Sequence, residues 1–354
     1  MSGPLAASPE SVAVKARPRL ADRLLSNRQA SLAMLTLGLA LMMTFASPAF
    51  ATIANLRVVA LGIAIDAVMV VGMTLVIIGG GFDLSVGAIL ALAAVTTGLA
   101  AEAGLPWPIA ALAALVMGSL AGLVNGLLIG RIGVNALIAT LGTLYVFRGA
   151  ALVLTEGRTV SAGDSPLVKV LGQGDAGGIP VPVLVATTVV IVGTLGVHRL
   201  RASRELFYVG SNRTAARLAG IDVTRTTVLS YVVMGLLAGV AGLLAIGRVG
   251  NASPTVGVGR ELAVITAVIL GGASLRGGEG SIGGSILALV LLALVNNALI
   301  LLAVPVFYQQ LSVGLVLILA VVLNLWRLKV RDRRAIQAAL QAPPKQAVEE
   351  NLET

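Results

Sequence analysis

The chain has 354 residues, of which 57% are hydrophobic and only 12% charged, about half the charged share of a soluble domain. With a mean hydropathy of +0.97, this composition excludes an ordinary soluble enzyme and leaves a polytopic membrane protein. The lack of cysteine and a single histidine, His198, exclude a disulfide framework and a Cys/His metal cluster, and 3% aromatic residues give no stacking surface for a nucleic-acid reading of the +9 charge.

Residues 1–29, rich in Ser, Pro and Arg, form an N-terminal segment. The apolar run behind it is about as long as a membrane helix and lacks a clear small-residue cleavage site, so it reads as a retained first span and not a signal peptide. A window of roughly 19 residues predicts ten spans, at 30–50, 57–80, 84–101, 107–130, 134–154, 180–198, 226–247, 261–275, 281–303 and 306–326. The eighth is the shortest. The expected fold is therefore an all-α membrane domain over 30–326, with an internal loop at 199–225 and a tail at 327–354. From Gln341 onward the tail carries Pro343, Pro344 and three glutamates, a composition expected to be disordered.

The basic residues test the span count independently. Of the 25 Lys and Arg, 19 fall on the side shared by the two termini: Lys15 to Arg28, Arg131, the six arginines from Arg199 to Arg225, Arg276, and Arg327 to Lys345. Five fall opposite, at Arg57, Arg158, Lys169, Arg248 and Arg260. Positive residues collect on the cytoplasmic side of membrane proteins. Both termini are thus expected inside, and the +9 charge needs no nucleic acid.

Gly118, Gly122, Gly126 and Gly130 line one face of the fourth span, and Gly235 and Gly239 repeat the spacing in the seventh. Such stripes let membrane helices approach closely; tight packing within the chain is the plain expectation, with a hinge or subunit interface as alternatives. The strings from Ser85 to Leu92 and from Ser281 to Leu289 echo one another, which suggests a parallel internal duplication. Gly278, Gly280 and Gly283 spell GxGxxG, but flanking membrane helices remove the βαβ context that a dinucleotide site requires. No Gly-Lys-Ser/Thr string is present, so any ATP is hydrolysed by another chain.

Ionisable groups inside spans usually mark a pathway. Asp66 and Arg148 are the clear candidates and are expected to face each other. Two such groups are thin equipment for a proton relay. The polar, uncharged residues of the spans, Asn125, Thr140, Thr143, Tyr145, Asn296, Asn297, Gln309 and Gln310, are candidates for a solute path, since amides and hydroxyls can replace the hydration of a neutral polyhydroxyl solute. Helix-to-helix hydrogen bonding is the alternative for each. In the inner loop, Ala215, Ala216, Arg217, Leu218, Ala219, Gly220, Ile221 and Asp222 predict a short surface helix closed by glycine.

The motif Gly81-Phe82-Asp83-Leu84-Ser85-Val86-Gly87, the string from Ala139 to Gly149, the string from Ala215 to Asp222, and those from Ala267 to Ser274 and Gly280 to Gly284 together resemble the membrane permeases of bacterial ABC importers for ribose, xylose and related sugars. The resemblance covers roughly residues 50 to 326, and it singles out Gly81, Asp83, Ser85 and Gly87 as family-motif positions. It implies a ten-helix permease of the bacterial cytoplasmic membrane, with no catalytic residues and no cofactor or metal of its own. It further implies a homodimer, an extracytoplasmic sugar-binding protein, and a separate ATPase with two fused nucleotide-binding domains that holds ATP and Mg. Ala215 to Asp222 would then be the coupling helix that docks on the ATPase. Rival expectations are a related permease for branched-chain amino acids or nucleosides, an ion-coupled secondary carrier, and a membrane scaffold.

Overall fold

The computed structural model describes residues 28–163 and 165–305, with eight further positions between 307 and 322. The N-terminal segment up to residue 27, Gln310, most of the tenth expected span and the tail lie outside the described residues. The helices are α1 (Arg28–Ala46), α2 (Ile53–Ile78), α3 (Val86–Glu102), α4 (Trp107–Gly126), α5 (Ala136–Thr155), α6 (Val181–Arg199), α7 (Arg201–Ser211), α8 (Arg213–Leu218), α9 (Val223–Val249), α10 (Arg260–Gly271) and α11 (Ile282–Leu301). A π-helical turn, Leu127–Ile132, extends α4. Two short antiparallel ribbons pair Val160–Ser161 with Asn251–Ala252, and Asp175–Ala176 with Ile179–Pro180.

Seven of the described helices are long and apolar enough to cross a membrane: α1, α2, α4 with its extension, α5, α6, α9 and α11. Each expected span from the first to the ninth has a helix. Two of these helices depart from the ordinary pattern: α3 has 17 residues and α10 only 12, or about 18 Å of rise for the latter. Both follow a stretch of non-helical chain.

Connections gather at two ends. At one, which carries the arginines of 199–225, the amide of Gly278 donates to the Ile78 carbonyl at 2.8 Å. Gly210 packs against the same carbonyl. At the other end, Arg158 forms a double hydrogen bond to Glu102 (3.1 and 3.0 Å), Arg57 pairs with Asp175 at 3.0 Å, and Asn55 and Asn297 exchange amide bonds of 3.1 and 2.8 Å. We call these the basic end and the far end.

Helix α2 runs through the middle, with Val68, Met69, Val70 and Met73 wholly buried. Beside it, α4 and α9 form a seam made of glycine. A Cβ added to Gly118 would lie 2.3 Å from the Gly235 carbonyl oxygen, one on Gly122 2.2 Å from that of Tyr231, and one on Gly239 2.6 Å from that of Ala114. Gly126 and Gly130 meet Val228 and Thr224 in the same way. The stripe is thus packing within one chain, the plainest of the sequence expectations, and the gain is dispersion contact that lipid cannot supply.

At the periphery, α6 buries little beyond Pro182 and Ala186. The inner loop also contains more helix than expected. It holds α7 as well as the short α8, and Gly220 follows α8 with φ of +79°.

Because the obstacle at Gly122 is backbone, Gly122→Val should loosen the α4–α9 seam by about 1–3 kcal/mol. Thermal unfolding in detergent should register it, whereas Gly142→Ala, which meets nothing within 4 Å, should not lower the midpoint. Equal midpoints for wild type and Gly122→Val would refute the seam.

Candidate functional site

The third and eighth spans are broken, and they enter from opposite ends. Chain from Gly79 to Ser85 leaves α2 at the basic end and climbs without helix before α3 begins. Its height follows from its partners. Asn125, seven residues from the end of the α4 extension and hence about 10 Å up the bundle, donates to the Ser85 hydroxyl at 2.8 Å and reaches both Asp83 carboxylate oxygens at 3.4 Å.

Asp83 is wholly buried. It accepts from the Ser85 amide at 2.8 Å and the Ser85 hydroxyl at 2.6 Å, and among the described residues it has no salt bridge. The amide bond is an Asx turn, and the carboxylate sits where the positive end of α3 favours negative charge. Thr143 completes the cluster by donating to the Asn125 side-chain oxygen at 2.7 Å, and the Tyr231 hydroxyl donates to the Phe82 carbonyl at 2.8 Å. Helices α4, α5 and α9 thus hold the motif turn through one polar side chain each. Unpaired polar groups at this depth would cost several kcal/mol.

The eighth span descends from the far end. Ala252 packs on Gly98 of α3, while Gly257 meets Gly87. Gly98 and Gly87 lie about three turns apart, roughly 16 Å of helix, so the segment 252–257 reaches halfway into a bilayer core of about 30 Å. There α10 starts and runs to the basic end. At the meeting point a Cβ on Gly87 would lie 2.3 Å from the Gly257 oxygen, and one on Gly257 would lie 2.6 Å from the Gly87 oxygen. Gly257 also has φ of +83°. Two of the motif positions are thereby explained: Gly87 admits the other broken span, and Gly81 lies where a Cβ would meet the Tyr231 hydroxyl at 2.6 Å.

Arg148 and Asp66 do not pair, contrary to the expectation. Arg148 instead donates to the carbonyls of Pro254 and Val256 at 2.7 and 2.8 Å, two acceptors left over where the eighth span lacks helix. Asp66 pairs with Arg260, the first residue of α10. Arg260, counted from the sequence with the far-side loop residues, therefore sits inside the bundle. Glu261, whose carboxylate accepts from the Gly259 amide at 3.1 Å, faces the positive end of α10 much as Asp83 faces that of α3.

Among the remaining sequence candidates, Thr140 is buried and bonds back to Ala136. Asn297 is paired with Asn55, Asn296 is exposed, and Gln309 is partly buried. Tyr145 projects from the free face of α5, 72% exposed. Arg260, Glu261 and Tyr231 are the ionisable and polar groups at depth that sequence reasoning overlooked, whereas Asp83 was named there only as a motif position. The string Gly257-Val258-Gly259-Arg260-Glu261, preceding the shortest span, was the available signal.

Toward the far end a cavity of about 430 Å³ lies between α2, α3, α9 and the descending segment. Its polar lining is Thr159, Arg248, Asn251, Ser253 and Arg260. Hydroxyl, amide and guanidinium groups of this kind can hydrogen-bond a polar, uncharged solute.

The Asp66–Arg260 pair predicts non-additive losses. Asp66→Ala and Arg260→Ala should each destabilise the protein, and the double variant should lose less than their sum by about 0.5–3 kcal/mol. A denaturation cycle measures this term. Strict additivity would mean that the pair contributes nothing.

A family model described as "Branched-chain amino acid transport system / permease component" matches residues 55–321. The chain is 38% identical over 281 residues to the ribose import permease protein RbsC of Escherichia coli K12, covering 78% of this chain and 88% of the relative. It is 37% identical to RbsC of Bacillus subtilis, covering 81% and 89%, and 35% identical to the L-arabinose transport system permease protein AraH of Escherichia coli K12, covering 80% and 86%. No solved structure matches it. With its multi-pass helical bundle and a family match across nearly all the described spans, the chain belongs to the permease-component family of the branched-chain amino acid transport system type.

Proposed function

We propose that the chain is the membrane permease subunit of an ATP-binding-cassette importer, carrying a monosaccharide or related polyol inward by alternating access. The observation that carries this reading is the match, across about four-fifths of the chain, to permeases named for ribose and L-arabinose. A relative named for autoinducer 2 import, from Enterobacter, is 33% identical over 316 residues, so the solute class extends past the two named pentoses. The family description favours one second reading, a branched-chain amino acid. Uptake of labelled solutes by the reconstituted importer separates the two.

In this reading the basic end is cytoplasmic, both termini lie there, and ten spans cross the bacterial cytoplasmic membrane. The working unit is a homodimer, fed by an extracytoplasmic binding protein and driven by an ATPase with two fused nucleotide-binding domains. Helix α8 suits the docking role. It is anchored by Ala216, which packs with Val209 and Val223, and it presents Leu218 outward with 86% exposure. The chain from Ala219 to Asp222 leads directly into α9, which Asp222 caps by accepting from the Arg225 amide at 2.9 Å. A pull on α8 therefore has a short, stiff route into α9. From α9 it reaches α4 through the glycine seam and the third span through Tyr231.

Helix α5 supports a placement for the second copy and the solute path. Its free face carries Tyr145, with Gly142 and Gly149 open beside it, and next to it Val258 and Gly259 of the broken eighth span are exposed. Irregular backbone at membrane depth is sustained only against protein or a water-filled cavity. Lipid does not suit this face.

Two outcomes follow. Gly220→Val places a β-branched residue in left-handed backbone, strained by roughly 1–2 kcal/mol, with open space around its Cβ. Membrane insertion should be normal, while stimulation of the partner ATPase by solute-loaded binding protein should disappear; full stimulation would remove α8 from the coupling role. Because the chain has no cysteine, Tyr145→Cys should cross-link two copies through a short bifunctional thiol reagent, whereas Ile191→Cys on α6 should not. The reverse pattern would move the dimer axis.

A further inference from the structure

Helices α6 and α9 both lean on α2, and at the basic end a gap of about 700 Å³ separates them. Leu75 of α2 lines this gap, and Val192, Gly193, Gly196, Leu229 and Val233 form its apolar walls. Val192 is 63% exposed and Leu229 43%, so the gap opens sideways, toward where acyl chains lie. A Cβ at Gly196 would have only the Leu200 side chain nearby, at 3.5 Å. The space is wide enough for a chain-like occupant.

The mouth is polar and carries both signs. Arg201, Glu205, Asp222 and Arg225 line it with Thr226 and Ser230. Arg201 pairs with Glu205 at 3.0 Å. Arg225 contributes its backbone amide to the Asp222 cap, but its guanidinium has no partner among the described residues. A guanidinium beside carboxylates at the end of an apolar channel complements a head group that has a phosphate and an amine. Basic pockets between membrane helices at the cytoplasmic face are a recognised form of lipid site.

We propose that this gap is a binding site for one phospholipid with an ethanolamine head group. The phosphodiester lies on Arg225, with Arg201 near it, the ammonium faces Asp222 and Glu205, and an acyl chain runs between α6 and α9 over Leu75. The roof includes Gly220 and Ile221, so the lipid buttresses the segment that joins α8 to α9. The site stands whether or not any protein docks on α8.

The test uses the full-length chain extracted in mild detergent, supplied with equal amounts of phosphatidylethanolamine and phosphatidylglycerol, and weighed by native mass spectrometry. Wild type should retain phosphatidylethanolamine. Arg225→Gln, which removes the phosphate contact, and Gly196→Leu, which fills the channel, should each lower retention at least tenfold while matching the wild-type unfolding midpoint once all three proteins are stripped of lipid. Equal retention by wild type and both variants would overturn the site, as would a wild type that keeps no lipid. Preference for phosphatidylglycerol would overturn the head-group assignment. A ready disulfide between Gly196→Cys and Leu315→Cys would hand the gap to the chain's own last span and end the proposal.

Discussion

Unmet hydrogen-bonding capacity in a medium without water governs this structure. An unbroken helix satisfies its own backbone, so seven of the described spans need little beyond apolar side chains. The third and eighth do not have that option. Each leaves amides and carbonyls exposed partway through the bilayer, and each is answered by specific groups from its neighbours. Asn125 and Tyr231, with Thr143 behind Asn125, serve the third span and its own Asp83–Ser85 turn, while Arg148 serves the eighth. The other buried hydroxyls, such as those of Thr74, Thr97 and Thr266, bond back to carbonyls of their own helices, so the polar contacts that cross between elements at depth concentrate on the two interruptions.

Glycine makes this arrangement compact. The α4–α9 seam brings backbone against backbone, so Tyr231 on α9 and Asn125 on α4 can reach the same turn from neighbouring helices. The acidic groups follow the same electrostatic logic at both breaks. Asp83 and Glu261 stand at the positive ends of α3 and α10, where a carboxylate is stabilised by the aligned peptide dipoles.

Much of this was legible in the sequence. Hydropathy located a helix for each of the first nine expected spans, seven of them long and apolar enough to cross a membrane, and the glycine stripe identified a packing face, because length and small-residue spacing act locally. The short helix from Arg213 to Leu218 with Gly220 behind it was likewise local chemistry. What escaped was relational. Asp66 and Arg148 were matched as the only obvious opposite charges inside spans, yet each found a nearer partner on chain that hydropathy had assigned to a loop. Asn125 and Thr143 were open to two readings, solute contact or helix-to-helix hydrogen bond, and they form the latter; an amide in a membrane helix looks the same in sequence whether it faces a channel or a buried carboxylate. The inner loop's second helix, α7, was missed because its apolar positions alternate with charge over only 11 residues. The two similar serine-led strings do open α3 and α11, but the break that matches the third span in form belongs to the eighth and runs the opposite way.

The contact between Gly87 and Gly257 has a mechanical consequence. It joins two interrupted segments through direct backbone contact, with the Glu261 carboxylate beside Gly87 as the one side chain among the nearest atoms there. Contact of this kind leaves little slack between the two segments. In the proposed importer, a tilt of one broken span would be passed directly to the other, so that opening toward one compartment and closing toward the other would be a single motion.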